Sequence, residues 1–96
     1  MNERTVLPAH IRIRKTREQL HELTGYETVS VSGLAQTDNG WELAIDVVEL
    51  RRVPDTASVL ATYRVTTDDA GDVASYERLH RYNRGRTTYP GEASSR

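Results

Sequence analysis

The chain has 96 residues and no cysteine, with 13 Lys plus Arg against 14 Asp plus Glu for a formal net charge of −1. That length supplies one small domain, burying roughly 60 to 70% of the surface its unfolded chain exposes. The composition excludes a disulfide framework and thiolate chemistry, and the near-zero charge argues against a general attraction to nucleic acid or anionic membrane. Twelve of the 13 basic residues are arginine, which favours planar contacts to carboxylates, although a GC-rich genome would give the same usage.

The first residues, 1–7, read as a flexible N-terminus. They include the acidic Glu3 and have no apolar core of signal-peptide length. No run anywhere approaches the roughly 20 apolar residues of a membrane span. The expectation is a soluble, cytoplasmic chain.

A single helix is predicted from Pro8 to Thr24. Ile13, Thr16, Leu20 and Leu23 fall at i, i+3, i+7 and i+10 on one face. Pro8 suits a first turn and Gly25 a C-terminal stop. Arg12, Arg14, Lys15 and Arg17 form a basic cluster along this segment.

Everything after Gly25 reads as strands. Glu27 to Ala35 alternates, with Val29 and Val31 inward, and Gln36 to Gly40 supplies a hairpin turn ending in Asn-Gly. In the next strand Trp41, Leu43, Ile45 and Val47 share one face while Val48 and Leu50 take the other. That change of phase implies either a β-bulge or burial on both faces. Pro54-Asp55-Thr56 ends the strand, because proline donates nothing to a ladder. Ser58 to Thr67 groups Val59, Ala61, Tyr63 and Val65, and the loop Asp68 to Asp72 leads into a fourth strand, Val73 to Tyr82. The predicted fold is α+β, one N-terminal helix packed on a four-stranded antiparallel meander over residues 8–85. Residues 86–96, with Thr, Ser, Gly and Pro, read as a disordered tail. Trp41 and Tyr63 are expected in the core.

Signatures of catalysis are missing. The sequence contains no Gly-x-Ser-x-Gly elbow, no Walker loop and no Gly-x-Gly-x-x-Gly fingerprint. Asp46 and Glu49 alternate onto opposite faces of their strand, which makes them a poor acid/base dyad. The Asp68–Asp72 loop is too short for an EF-hand and reads as ordinary turn chemistry. The expectation is a non-enzyme with no catalytic, metal or cofactor residues.

The last strand carries the functional hypothesis. In Tyr76-Glu-Arg-Leu-His-Arg-Tyr-Asn-Arg84, alternation puts Tyr76, Arg78, His80 and Tyr82 on one face and Glu77, Leu79 and Arg81 on the other. Tyrosines interleaved with arginines suit a protein-recognition surface or a platform for single-stranded nucleic acid. They equally suit a structural role, with the tyrosines beside the helix and the arginines paired to Glu42, Asp46 or Glu49. The candidate partner-binding set is Tyr76, Arg78, His80, Arg81, Tyr82 and Arg84.

The order of pieces from Leu23 to Gly85 is distinctive. Leu23-Thr-Gly, Val31-Ser-Gly and Gly40-Trp41 lead into an apolar strand ending Val47-Val-Glu-Leu50. Pro54-Asp-Thr, Val59-Leu with Tyr63, and Tyr76-x-Arg-x-x-Arg-Tyr-x-Arg-Gly85 follow. In this the chain resembles the gas-vesicle protein O family over about two thirds of its length. The resemblance implies a non-structural accessory role in assembling gas vesicles through contacts with the shell subunit or other accessory gas-vesicle proteins. The predicted sheet separately leaves an edge exposed, through which a homodimer is a further option. The alternative is a regulatory nucleic-acid-binding module associated with gas-vesicle genes.

Overall fold

A computed structural model of the chain describes residues 7–85. The expected flexible N-terminus, apart from Leu7, and the expected tail 86–96 lie outside the described residues. The elements follow in the order α1 (Ala9–Thr24), β1 (Glu27–Gln36), β2 (Trp41–Leu50), a 3-10 turn (Asp55–Ala57), β3 (Val59–Thr67) and β4 (Val73–Asn83). The strands form one antiparallel sheet in the order β1-β2-β3-β4, so the α+β meander expected from the sequence is the fold observed.

Pro8 caps α1, its carbonyl accepting from Ile11 and Arg12 at 3.1 and 3.0 Å. Gly25 ends it at φ 79, where glycine escapes the Cβ clash of the left-handed region, and its N–H donates to the His21 carbonyl at 2.7 Å. The buried stripe is Arg12, Thr16 and Leu20, spaced by four. Ile13 packs at the edge of the core, but Leu23 is 54% exposed, so the inward position expected for it is not observed. A spacing of four turns the stripe toward Arg12 and away from Leu23.

The helix covers one face of the sheet, where Leu20 meets Leu43, Ile45 and Val47 of β2 and Ala61, Tyr63 and Val65 of β3. Each large side chain buried there contributes about 1.5–3 kcal/mol. Tyr63 is a core residue as expected. Trp41 is half-buried against that cluster.

Single extra residues interrupt the alternation in three strands. In β1 they are Val29 and Ser32, so Thr28, Val31 and Leu34 face the helix and Val29 is exposed, contrary to expectation. In β2 the extra residue is Glu49, between the pairs Val48–Leu60 and Leu50–Val59. Of the two explanations expected for the phase change at Val47–Val48, burial on both faces is the one observed: Val47 and Val48 pair regularly with Ala61 and Leu60, and Val48 and Leu60 are buried on the face away from the helix. The bulge comes one residue later and returns Leu50, expected on the face of Val48, to the helix side opposite Val59. In β4 the extra residues are Ala74 and Leu79.

Two close approaches lock the hairpins together. A Cβ on Gly40 would lie 1.9 Å from the Thr67 carbonyl oxygen, so only glycine lets the start of β2 pass the end of β3. At the other end of the sheet, Arg84 and Gly85 donate backbone N–H bonds to Ser58 and Thr56, both at 2.8 Å, fastening the end of β4 to the 3-10 turn.

Candidate functional site

The N-terminal basic cluster is largely committed to holding α1 on the sheet. Arg12 is buried, with its guanidinium 4.8 Å from the centroid of the Trp41 ring and donating to the carbonyls of Asp68 (3.2 Å) and Asp69 (3.0 Å). Lys15 donates to the Ala70 carbonyl at 2.9 Å and pairs with Asp72 at 3.2 Å, while Arg17 donates to the Thr28 hydroxyl at 3.0 Å. The sequence groups Arg12 with Arg14, Lys15 and Arg17 in one basic cluster, of which it is the buried member. The signal that could have singled it out is its place four residues before Thr16 and eight before Leu20.

These contacts also account for the Asp-rich loop. The Asp68 carboxylate accepts from the Asp72 N–H four residues on at 2.9 Å, closing the loop, and Asp72 accepts from Gln19 at 2.9 Å. The Gln19 hydrogen bond and then Lys15 hold the Asp72 carboxyl below its ordinary range. Among the described residues no three His, Asp or Glu side chains converge as a metal set.

Glu49 organises the other end of the helix-side face. Its side chain is only 5% exposed, and it accepts from Tyr63 Oη (3.0 Å), Arg81 Nε (2.9 Å) and Arg78 (3.4 Å). Burial first, and Glu49 second, push the Tyr63 phenol up to about 12. Tyr63 also anchors a row of rings, 6.4 Å from Tyr26 and 6.0 Å from Tyr76.

The bulge at Leu79 redistributes the β4 side chains. Before it, Tyr76 and Arg78 pair with Val65 and Tyr63; after it, Arg81 pairs with Ala61, so all three lie on the helix side. Glu77, His80 and Tyr82 pair with Arg64, Thr62 and Leu60 on the open side. The faces expected for His80, Tyr82 and Arg81 are thus exchanged, because one inserted residue reverses the alternation beyond it. The structure brings Tyr76, Arg78 and Arg81 together, places His80 beside Tyr82 with ring centroids 6.0 Å apart, and sets Arg84 apart on Asp55 at 2.6 Å. Arg84 is also the first cause of the low pKa of Asp55, which accepts from Arg51 and Ser58 as well.

On the open side Arg64 sits between two carboxylates, Glu77 at 2.7 Å and Glu42 at 3.5 Å. Asp46 accepts from Thr62 (2.6 Å) and Ser30 (3.4 Å). The structural pairing anticipated for Glu49 is therefore present, whereas Glu42 takes Arg64 and Asp46 takes hydroxyls. An open groove between α1 and β1, lined by Ile13, Arg14, Arg17, His21 and Thr28 among others, contains no hydroxyl bonded to a histidine. No helix among the described residues is long and apolar enough to cross a membrane.

Comparison with known proteins gives these features a context. The gas vesicle synthesis protein GvpO family matches residues 2–88. Gas vesicle protein O of Streptomyces sp. (strain CB03234) is 48% identical over 81 residues, which are 83% of this chain and 63% of that protein. Gas vesicle protein O1 of Halobacterium salinarum is 37% identical over 71 residues, 74% of this chain and 60% of the relative. Gas vesicle protein O of Haloferax mediterranei is 38% identical over 72 residues, 74% of this chain and 51% of the relative. The chain therefore spans between about half and just under two thirds of the length of these relatives, whose names describe gas-vesicle proteins rather than enzymes. No solved structure matches it. With a match across most of its length and relatives at this identity, the chain belongs to the gas vesicle synthesis protein GvpO family.

Proposed function

We propose that the chain takes part in gas-vesicle formation in the cytoplasm as a non-enzymatic accessory protein, binding the shell subunit or another accessory gas-vesicle protein through β4. The observation that carries this reading is β4 itself. It is an edge strand of 11 residues, exposed along nearly all its length, with no partner strand on its outer side among the described residues. Tyr76, Arg78, Arg81 and the following Arg84 are held in place by Tyr63, Glu49 and Asp55, so a partner meets a largely preorganised surface. Tyr76, Arg78, His80, Arg81, Tyr82 and Arg84 supply the contact residues.

A nucleic-acid role fits the charges less well, since Arg84 faces Asp55, Arg78 and Arg81 share Glu49 and leave one positive charge between them, and the chain as a whole carries a net charge of −1.

The test is a pulldown of the tagged chain from cells expressing a complete gas-vesicle gene cluster, washed at low and high salt and read by mass spectrometry. Shell or accessory gas-vesicle proteins retained through high salt, and lost from a folded Arg78→Glu/Arg81→Glu double variant, are the expected result. Capture of nucleic acid alone, released by salt, would overturn the reading in favour of a regulatory module.

A further inference from the structure

The two faces of β4 carry opposite charge imbalances. On the helix side two guanidiniums, Arg78 and Arg81, share one carboxylate, Glu49, leaving one positive charge in excess. On the open side one guanidinium, Arg64, serves two carboxylates, Glu42 and Glu77, and Asp46 is held by hydroxyls alone, so negative charge is in excess. Arg78, Arg81 and Glu77 are 42%, 55% and 60% exposed, and all three stand on the outermost strand. The edge between the two faces has no partner strand among the described residues.

A segment hydrogen-bonded to that edge presents alternate side chains to the two faces. We infer that the β4 edge takes an extended segment of another protein as a fifth strand, with acidic side chains on the helix side beside Arg78 and Arg81 and basic ones on the open side beside Glu77. This rests on the reading that β4 is the contact strand, and it adds the chemistry of what binds there.

The bulges support selectivity. Those at Ala74 and Leu79 break β4 into short regular runs, Ser75–Arg78 and His80–Asn83, which discourages indiscriminate strand addition. The bulge at Leu79 also puts Arg78 and Arg81 on one face. A second copy of the chain is a poor occupant. Antiparallel β4–β4 pairing about a two-fold axis normal to the sheet keeps each face on its own side, so arginines meet arginines and Glu77 meets Glu77. The other edge strand, β1, has Glu27 as its one charged residue, already paired to Arg51.

The test uses the full chain on an array of overlapping peptides of about 12 residues, long enough to span β4, covering every protein of the gas-vesicle gene cluster. The proposal expects binding to peptides with acid and base on alternating positions, and slowed amide exchange in β4 when such a peptide is added. Arg81→Glu or Glu77→Lys alone should weaken binding about five- to tenfold, from cross-strand charge pairs turned repulsive. The combined Glu77→Lys/Arg81→Glu variant should recover binding to a peptide with its acids and bases exchanged. That rescue also shows that the single variants had not merely lost their fold. Peptides that bind irrespective of charge phase, or without protecting β4 amides, would overturn the inference. So would a concentration-dependent dimer abolished by Glu77→Lys, which would assign the edge to a second copy. A blank array alongside intact capture of gas-vesicle proteins would overturn strand addition alone. A blank array with no capture would overturn the contact role of β4 as well.

Discussion

Replacing Glu49 by glutamine tests whether one buried carboxylate organises the helix-side face of β4. The substitution keeps the shape and an acceptor oxygen but removes the charge. Arg78 and Arg81 are each about half exposed, so each loses an ion pair worth roughly 0.2–1 kcal/mol. The Tyr63 hydroxyl is buried, and exchanging a charged for a neutral acceptor costs it about 1 kcal/mol. Together these give a loss of about 2 kcal/mol, a substantial part of the ~5–15 kcal/mol that holds a domain of this size folded. Glu49→Leu should cost more, because it leaves the phenol with no acceptor, at about 1–3 kcal/mol. Urea unfolding followed by circular dichroism should show a lower midpoint at unchanged slope for both variants, in the order Gln then Leu. A tyrosine absorbance titration should show the phenol near 12 moving back toward its ordinary value in Glu49→Gln. A wild-type midpoint in Glu49→Gln, with Glu49→Leu no worse, would refute the reasoning.

Arg12→Met should destabilise the chain by about 2–4 kcal/mol, through two lost carbonyl bonds and the lost stack on Trp41, and Arg12→Lys should not rescue it, since a point charge lacks the fork that reaches both carbonyls. Thermal unfolding and amide exchange in the Asp68–Asp72 loop report both effects. Gly40→Ala should cost about 3 kcal/mol or more because its Cβ would collide with the Thr67 carbonyl, whereas Gly33→Ala, whose Cβ would stand 3.6 Å from Ala44 Cβ, should be close to neutral; urea midpoints of the pair decide this. Alkaline unfolding should depend on Tyr63. Its phenol is raised to about 12 in the folded chain and titrates near 10 when unfolded, so the native state holds the proton longer. Stability is therefore fully present below pH about 10 and falls as pH rises to about 12, by on the order of 2–3 kcal/mol, and Tyr63→Phe should flatten that limb of a stability-versus-pH curve.

The order of elements was legible because the signals that set it are local. The Ile13–Leu20 periodicity, Gly25, the Asn-Gly turn and Pro54 each act over a few residues, and each marks an element or boundary that is observed. The faces of the strands were less legible. A bulge adds one residue without changing composition. In β2 it shows because the apolar Leu50 falls out of phase with Trp41, Leu43, Ile45 and Val47, and the bulge at Glu49 returns it to their face. In β4, exposed on both sides, there is no apolar pattern to break, so the exchange of Arg81 with His80 and Tyr82 left no trace in the sequence. The burial of Arg12 was not legible for a related reason: nothing local beyond its spacing marks a cation as part of the apolar stripe, because its acceptors are backbone carbonyls 56 and 57 residues away.

Several of the pieces that make this chain look like its family perform structural work. Gly40 admits the Thr67 carbonyl, Trp41 carries Arg12, Asp55 and Arg84 close the end of the sheet, and Tyr63, Arg78 and Arg81 converge on Glu49. Loss of partner binding on mutating any of them is therefore ambiguous between a missing contact and a disturbed fold. Glu77 and Leu79 are different. Glu77 makes one exposed ion pair, to an arginine that keeps Glu42, and Leu79 is the exposed residue of a bulge. Substitutions at these two positions leave the core and the Glu49 cluster intact, so a change in association measured there reads the surface of β4 directly.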